Sequence, residues 1–243
     1  MKTLKIFLLS ILLSFIFFPF TSCSNDELVS SQYKSQEELS LYKKNSSELT
    51  PKQIGDYHNI AIELYFEYDN GYRKTVKEIE SSVISLLTAN YPDLMEGFIV
   101  IDDYNFIKPY YDAYSINPIQ LESVIDHGFN ELTSNKQISS TFANDLKELT
   151  LSDISFEEKI LFLNSYNSNS VDEGDFIDVY KEVFIASNNL WNQYGTIAQT
   201  KMKCSSGVIA ADAVGAGLGL FGGPLWSIIQ GAVVSIAVNE DCK

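Results

Sequence analysis

The side chains in this sequence that are best suited to proton transfer are its two histidines. His58 lies in "IGDYHN", beside Asn59 and close to Asp56, and His127 follows Asp126 in "IDHGF". An imidazole that is held by a neighbouring acid or amide can act as a general base. If the protein were a hydrolase, His58 and Asn59 would therefore be the place to look for its active site.

Other signals of catalysis are missing from the sequence. The patterns H-E-x-x-H, C-x-x-C and G-x-S-x-G do not occur, so we predict no catalytic residue, no metal site and no cofactor. His58 also falls on the apolar stripe of a predicted helix, which favours a hydrogen-bonded core histidine. The sequence leaves catalysis open, favours a protein that is not an enzyme, and keeps His58 and Asn59 as candidate binding residues.

Tyrosines are concentrated in two runs near turn signals, residues 65–72 ("YFEYDNGY") and 104–114 ("YNFIKPYYDAY"). A tyrosine ring can stack on an apolar ligand surface while its hydroxyl bonds outward, which suits a glycan or a peptide. Tyr110 and Tyr111 are therefore candidate binding residues. The competing interpretation is that these rings are helix ends packed on the core.

The charge of the chain restricts its partners. The formal net charge is −15, and it becomes −17 if residues 1–22, with Lys2 and Lys5, are removed. Such a surface repels nucleic acid, which we exclude as a partner. The acidic cluster at residues 171–178 precedes a predicted helix and complements its dipole, and it lacks the spacing of an EF-hand calcium loop.

The N-terminus has the features of a secretory signal. Lys2 and Lys5 precede an apolar run of 13 residues, 6–18, which is too short to cross about 30 Å of hydrocarbon as a helix. The sequence "FTSC" follows and ends at Cys23. It resembles the lipobox of bacterial lipoproteins, with Phe20 where leucine is commonest. The resemblance covers the first 23 residues and implies that Cys23 is acylated after cleavage.

The residues after Cys23 resemble those of a lipoprotein tether. Residues 24–34 are polar and have no periodic apolar face, as in a flexible spacer. Ser24 resembles the sorting residue of outer-membrane lipoproteins. We therefore predict a signal peptide at 1–22, a lipidated cysteine and tether at 23–34, and a single domain at 35–243. The expected location is the cell envelope, at the outer membrane, with the membrane as a partner through the anchor.

Apolar residues recur at helical spacing through nearly the whole domain. Thr50 before Pro51, and Ser155 with Glu158, are predicted helix N-termini. Only residues 98–102, "FIVID", favour a strand. We predict an all-α domain of about eight to ten helices. The predicted stripes include Ile54, His58, Ala61 and Tyr65; Leu121, Ile125, Phe129 and Leu132; and Phe176, Tyr180, Val183, Ser187 and Leu190.

Residues 207–238 form an unusual stretch whose single charge is Asp212 and which contains seven glycines. Gly215, Gly219 and Gly231 belong to a set of small residues spaced four apart, which allows two helices to approach closely. The "GGP" at 222–224 predicts the end of one helix and the start of the next. We therefore predict a tight helical hairpin over residues 205–240.

Two cysteines flank this hairpin. With Cys23 lipidated, Cys204 and Cys242 remain as an even pair in an oxidising compartment, each about 19 residues from the bend. A disulfide that closes this loop would stabilise the fold by about 4 kcal/mol in the chain-entropy model. The alternative is a pair of buried free thiols.

Three functions are compatible with these patterns. The preferred one is a cell-envelope lipoprotein whose helical domain binds a protein or glycan ligand. In its small-residue spacing the hairpin also resembles the glycine-zipper segments of pore-forming and bacteriocin-like peptides, which implies a membrane-perturbing effector. For that function, leucine at Gly215 or Gly219 should abolish lysis without unfolding the protein. The third is a hydrolase centred on His58, which requires a pocket that joins His58 to acidic groups distant in sequence.

Overall fold

The computed structural model describes residues 49–100, 106–197 and 205–241, and every regular element within these ranges is helical. The predicted all-α fold is confirmed, and the described residues contain eight α-helices. They are α1 Pro51–Tyr68, α2 Val76–Asn90, α3 Pro118–Ser134, α4 Ser140–Leu151, α5 Phe156–Ser165, α6 Val171–Ile197, α7 Ser205–Gly219 and α8 Pro224–Asp241. Short 3-10 helices occupy Lys108–Tyr110 and Leu220–Gly222.

Predictions about the chain termini fall outside these ranges. The signal peptide, the lipidated Cys23 and its tether all precede residue 49. Cys204 and Cys242, the two cysteines of the predicted disulfide, also lie outside the described residues. These expectations stay predictions.

Helix starts are determined by local side chains. Thr50 and Ser155 each accept a hydrogen bond from the backbone N–H three residues on, and that residue's side chain bonds back to the cap. Such capping boxes satisfy N–H groups that have no partner inside the helix. Both predicted caps are confirmed, and the same arrangement begins α2 at Thr75 and α3 at Asn117.

The predicted hairpin is present, and it forms the centre of the fold. Gly223, with φ of 105°, makes the bend, and Pro224 begins α8. Helix α8 packs along α7; α3, α4 and α6 cover α7, and α1 and α2 cover α8. From 208 to 239 every residue is buried except the half-buried Leu220 and Pro224. A helix that is apolar on all sides must be enclosed, and these five helices provide the enclosure.

Two glycines of the hairpin, Gly215 and Gly219, lie against the backbone of α8. A Cβ added at Gly215 would lie 2.9 Å from the carbonyl oxygen of Gln230, and one at Gly219 would lie 2.5 Å from that of Trp226. Backbone atoms in a packed hairpin cannot move aside cheaply. The expectation that leucine at Gly215 or Gly219 leaves the fold intact is therefore wrong.

The predicted strand at 98–102 is also wrong for the residues that the structure describes. Residues 98–100 form no regular structure, and residues 101 and 102 lie outside the described ranges. The Phe98 ring packs against Trp226 at 5.4 Å between centroids, while Ile99 and Val100 are exposed. A strand needs a neighbouring strand for its hydrogen bonds, and the described part of the chain supplies only helices.

Candidate functional site

His58 lies in the middle of α1 and points into the hairpin. Its side chain is fully buried, as its place on the apolar stripe indicated. Space for the imidazole comes from Gly231 on α8, where an added Cβ would lie 2.8 Å from His58 Cδ2. The absence of a side chain at position 231 thus allows a histidine from α1 to lie against the hairpin.

Asn59 orients this histidine. Its Nδ2 donates to the carbonyl oxygen of Ala186 on α6, at 2.9 Å, and its Oδ1 lies 3.1 Å from His58 Nδ1. Because the amide nitrogen is directed to a carbonyl, the Oδ1 must be the acceptor, so His58 Nδ1 carries a hydrogen. In the neutral ring Nε2 is then unprotonated. Asn59 is half-buried, and both ends of its amide are engaged in these two contacts.

The carboxyl group of Asp212 on α7 faces His58 Nε2. The distance from Nε2 to Asp212 Oδ2 is 3.7 Å, and both side chains are fully buried. The Ser187 hydroxyl and, at 3.1 Å, the Trp191 indole Nε1 both donate to the same Oδ2 from α6. Side chains from α1, α6 and α7 therefore converge on one carboxyl group. We call these five residues, His58, Asn59, Ser187, Trp191 and Asp212, the His58–Asp212 cluster.

Burial determines the protonation of both ionisable groups in the cluster. It raises the pKa of Asp212 to about 7, although the hydrogen bonds that the carboxylate accepts from Ser187 and Trp191 on α6 act in the opposite direction. It lowers the pKa of His58 to about 4, against the hydrogen bond between the ring and Asn59. At neutral pH the His58 ring is uncharged.

The order of contacts in the cluster differs from that of a hydrolase. In a nucleophile–base–acid triad the hydroxyl bonds to the imidazole, whereas the Ser187 hydroxyl bonds to Asp212. His58, Ser187 and Asp212 each have 0% exposure. None of these three residues lines the cavity of about 280 Å³ near the hairpin bend or the cavity of about 260 Å³ beside α6. The structure thus joins His58 to a distant acid, but shows no route for a substrate through the described residues.

No metal centre is present among the residues that the structure describes. They contain no group of three or more His, Cys, Asp or Glu side chains that could hold an ion. His127, the second histidine, is partly exposed on α3, with its Nε2 3.8 Å from Glu131 Oε2. His127 and Glu131 lie one turn apart on the surface of the same helix and do not form a pocket between them.

Tyr110 and Tyr111 lie at the end of the first 3-10 helix and are half-buried. The Tyr111 hydroxyl donates to Glu80 Oε1 on α2, at 2.9 Å, and Gln230 Nε2 on α8 donates to Glu80 Oε2, at 3.0 Å. Glu80 is buried, so this chain of hydrogen bonds ties the segment around Tyr111 to the hairpin. Tyr111 thus supports the segment, and Glu80 links it to Gln230, the neighbour of Gly231 on α8.

The exposed rings are other tyrosines of the same two runs. Tyr68, Tyr72 and Tyr114 have exposures of 60%, 75% and 53%. The guanidinium of Arg73 lies over the Tyr114 ring, 5.5 Å from its centroid, and donates to Ser115 Oγ at 2.9 Å. Arg73 therefore joins the two runs at the surface. We call Tyr68, Tyr72, Arg73 and Tyr114 the tyrosine surface.

The partners of the candidate residues could not be identified from the sequence. A signal was present, since Asp212 is the single charge between 207 and 238 and Ser187 interrupts an apolar stripe. A polar residue at such a position must find a buried partner. Which partner it finds depends on how the helices pack, so the pairs of Asp212 with Ser187, and of Glu80 with Gln230, were missed.

Comparison with known proteins gives no assignment. No protein-family model, curated protein or solved structure matches this chain. Among the described residues, no helix combines the length and the apolar character that crossing a membrane requires.

Proposed function

We propose that this protein is a cell-envelope lipoprotein, held at the outer membrane by an acylated Cys23, whose helical domain acts by binding a protein or a glycan. The anchor is supported by the signal sequence and the lipobox-like "FTSC" at residues 20–23. The binding activity is supported by one structural observation, the tyrosine surface. The two parts are independent and need separate tests.

The tyrosine surface has the chemistry of a binding platform. Its rings are amphipathic and more than half exposed, so they can cover an apolar ligand face and still bond through their hydroxyls. Next to them, Lys74 Nζ lies 3.3 Å from Asp69 Oδ1 and 4.7 Å from the centroid of the Tyr65 ring, which fixes the turn after α1.

Backbone hydrogen bonds to α2 hold the chain segment that carries Tyr114. Backbone N–H groups of α2 at Val76 and Lys77 donate to the carbonyl oxygens of Ala113 and Tyr111, at 2.8 and 3.4 Å. With the Tyr111 to Glu80 bond, these contacts hold the segment that carries Tyr114 on the start of α2. A platform that is ordered before its ligand arrives loses less conformational entropy on binding.

A ligand screen tests the binding proposal. The chain from Ser24 onward would be applied to glycan and peptide arrays, and hits would be titrated by calorimetry against Tyr72→Ala and Tyr114→Ala. Leu161→Ala is the matched control, since Leu161 is 67% exposed on α5. We expect binding that falls at least tenfold in both tyrosine variants and is retained in the control. A ligand that binds all variants equally would refute the tyrosine surface as its site.

The anchor is tested by labelling cells with radioactive palmitate. Incorporation into the wild-type chain and its loss in Cys23→Ala, with the wild type in the outer-membrane fraction, would support the proposal. An unlabelled, soluble wild-type chain would refute the anchor and leave the binding test untouched.

A second candidate function is favoured by the burial of the hairpin on all sides. A segment that is apolar all round is either core or membrane-inserting, so a membrane-perturbing effector that releases α7 and α8 is consistent with this packing. Helices of 15 and 18 residues reach only about 23 and 27 Å, short of a hydrocarbon core of about 30 Å. Asp212 and Gln230 are also polar and central. We therefore rank this function second.

Leakage from dye-loaded liposomes tests the effector. The chain from Ser24 onward would be added with and without a reductant, and a Cys204→Ser/Cys242→Ser variant would serve as the control for the disulfide. Leakage in the reduced wild type and in the variant would favour the effector. Intact liposomes in all three samples would leave the hairpin as core.

A further inference from the structure

The His58–Asp212 pair is enclosed in the core, and this enclosure restricts its charge. A buried pair with a net charge is strongly destabilising, because neither water nor a counter-ion compensates it. The pair is neutral when it holds one proton in total. That proton is either on Asp212, beside a neutral His58, or on His58, beside an ionised Asp212.

The geometry around Nε2 distinguishes these two arrangements. A charge-assisted N–H to carboxylate bond is normally about 2.7–2.9 Å long, whereas His58 Nε2 lies 3.7 Å from Asp212 Oδ2 and makes no hydrogen bond. A buried imidazolium would leave a charged N–H group without an acceptor, at a high cost in free energy. In the other arrangement the groups without a partner are uncharged: Nε2 of a neutral ring whose hydrogen is on Nδ1 towards Asn59, and Oδ1 of a protonated Asp212.

We propose that, in mild acid, His58 and Asp212 form a proton-sharing latch: one proton is carried by Asp212 in the folded protein and by His58 in the unfolded chain. Folding then moves the proton from imidazole to carboxyl without changing the number bound. The contact of α7 with α1 and α6 at this point is consequently insensitive to mild acid. Mild acid acting at this pair therefore does not release the hairpin from the core.

The pKa directions of the two groups support the latch. Asp212 titrates near 3.8 when unfolded and near 7 when folded, so alone it would lower stability as the pH rises from about 4 to 7. His58 titrates near 6.5 unfolded and near 4 folded, so alone it would lower stability as the pH falls below 6.5. Between about pH 4 and 6.5, the two groups change the stability in opposite directions as the pH changes, so their effects cancel.

Among the described residues, no other ionisable side chain belongs to this cluster. From α2, Glu80 approaches α8 through Gln230. From α3 and α4, Asp126 and Lys147 form a partly exposed ion pair with each other. Several other ionisable side chains on α1, α6 and α8 are exposed or half-buried, among them Lys52, Asp56, Glu63, Asp178, Lys181, Glu182 and Glu240.

Unfolding by urea as a function of pH tests the latch. The chain, as processed by the expressing cell, would be compared with Asp212→Asn, His58→Gln and the double variant between pH 4.5 and 6.5. Between pH 4.5 and 6.5, the difference in folding free energy between the wild type and the double variant should not change with pH. Asp212→Asn should lose up to tenfold in the folding equilibrium constant per unit of falling pH, and His58→Gln up to tenfold per unit of rising pH. The proposal would be overturned if the stabilities of the two single variants changed with pH in the same direction. It would also be overturned if the stability of the wild type, relative to the double variant, changed by tenfold in the folding equilibrium constant per pH unit.

Nuclear magnetic resonance on the wild type covers the case in which the variants fail to fold. The chain has two histidines, so ¹⁵N-histidine labelling gives two ring signals, and His127→Gln assigns them. We expect His58 as the neutral Nδ1–H tautomer from pH 5 to 8. An imidazolium signal from His58 across this range would show the proton on the wrong partner and would overturn the latch.

Discussion

Gly219 lies directly against the backbone of Trp226, so that a Cβ at position 219 would be 2.5 Å from the Trp226 carbonyl oxygen and 2.8 Å from the Cα of Ser227. The two residues face each other across the hairpin bend, and the contact is made by main-chain atoms. The close approach of α7 and α8 therefore depends on glycine at this position.

Gly219→Ala should destabilise the protein by roughly 2 kcal/mol, because the backbone atoms it meets can move only by spreading the hairpin. Gly174→Ala is the matched control. Its Cβ would be 3.3 Å from the Ser168 hydroxyl, a side-chain atom that can rotate, and alanine is the better helix former by up to about 1 kcal/mol. Urea unfolding measures both, and equal stability of the two variants would contradict the close packing.

Tyr111→Phe should lower stability by about 2 kcal/mol, since it removes a hydrogen bond to the buried Glu80 carboxylate. Tyr114→Phe, whose ring is 53% exposed, should change stability little. Urea unfolding gives the stabilities, and limited proteolysis with mass spectrometry should show faster cleavage between residues 106 and 116 in Tyr111→Phe alone. Equal cleavage of both variants would mean that the hydroxyl does not hold this segment.

Glu173 supplies a pH-dependent contribution to stability. Its carboxylate accepts hydrogen bonds from the backbone N–H groups of Ser139 and Asn169, both at 2.9 Å. Burial acts to raise the pKa of Glu173, but these bonds outweigh it and hold the pKa below its usual value. The stabilisation is then present above the unfolded pKa of about 4.5 and is lost as the pH falls through the folded value.

Glu173→Gln should therefore cost about 2 kcal/mol at pH 7, and the difference from wild type should shrink below pH 4.5. The measurement is urea unfolding at pH 7, 5, 4 and 3. Glu122→Gln, at an exposed position of α3, controls for the loss of one carboxylate. A difference that stays constant down to pH 3 would rule out the ionised carboxylate as the source of this stability.

A disulfide between Cys204 and Cys242 is expected from the sequence, and its loss should cost up to about 4 kcal/mol. Intact-mass measurement before and after reduction should show the gain of two hydrogens, and Cys204→Ser/Cys242→Ser should reproduce the stability of the reduced protein. Free thiols in protein purified from an oxidising compartment would refute the bond.

The sequence by itself determined the helices and most of their buried faces. Capping signals such as Thr50 before Pro51 act within one turn, and the stripe through Ile54 and His58 repeats at the helical period, so both are local properties. The strand expected at 98–102 shows the limit of local preference. Its apolar, β-branched residues form a strand only where another strand is available, and the described ranges contain none.

The pairing of polar groups was decided by the tertiary structure alone. The sequence marked His58 and Asp212 as exceptions on apolar segments, but it could not show that they face each other. Their contact depends on the packing of α1 and α6 around the hairpin and on the space that Gly231 leaves for the imidazole. Likewise, the sequence grouped Tyr110 and Tyr111 with the other tyrosines of the two runs, whereas packing on α2 made the half-buried Tyr111 a support for the segment that carries Tyr114. Burial and long-range pairing are properties of the packed chain, because they depend on residues far apart in sequence.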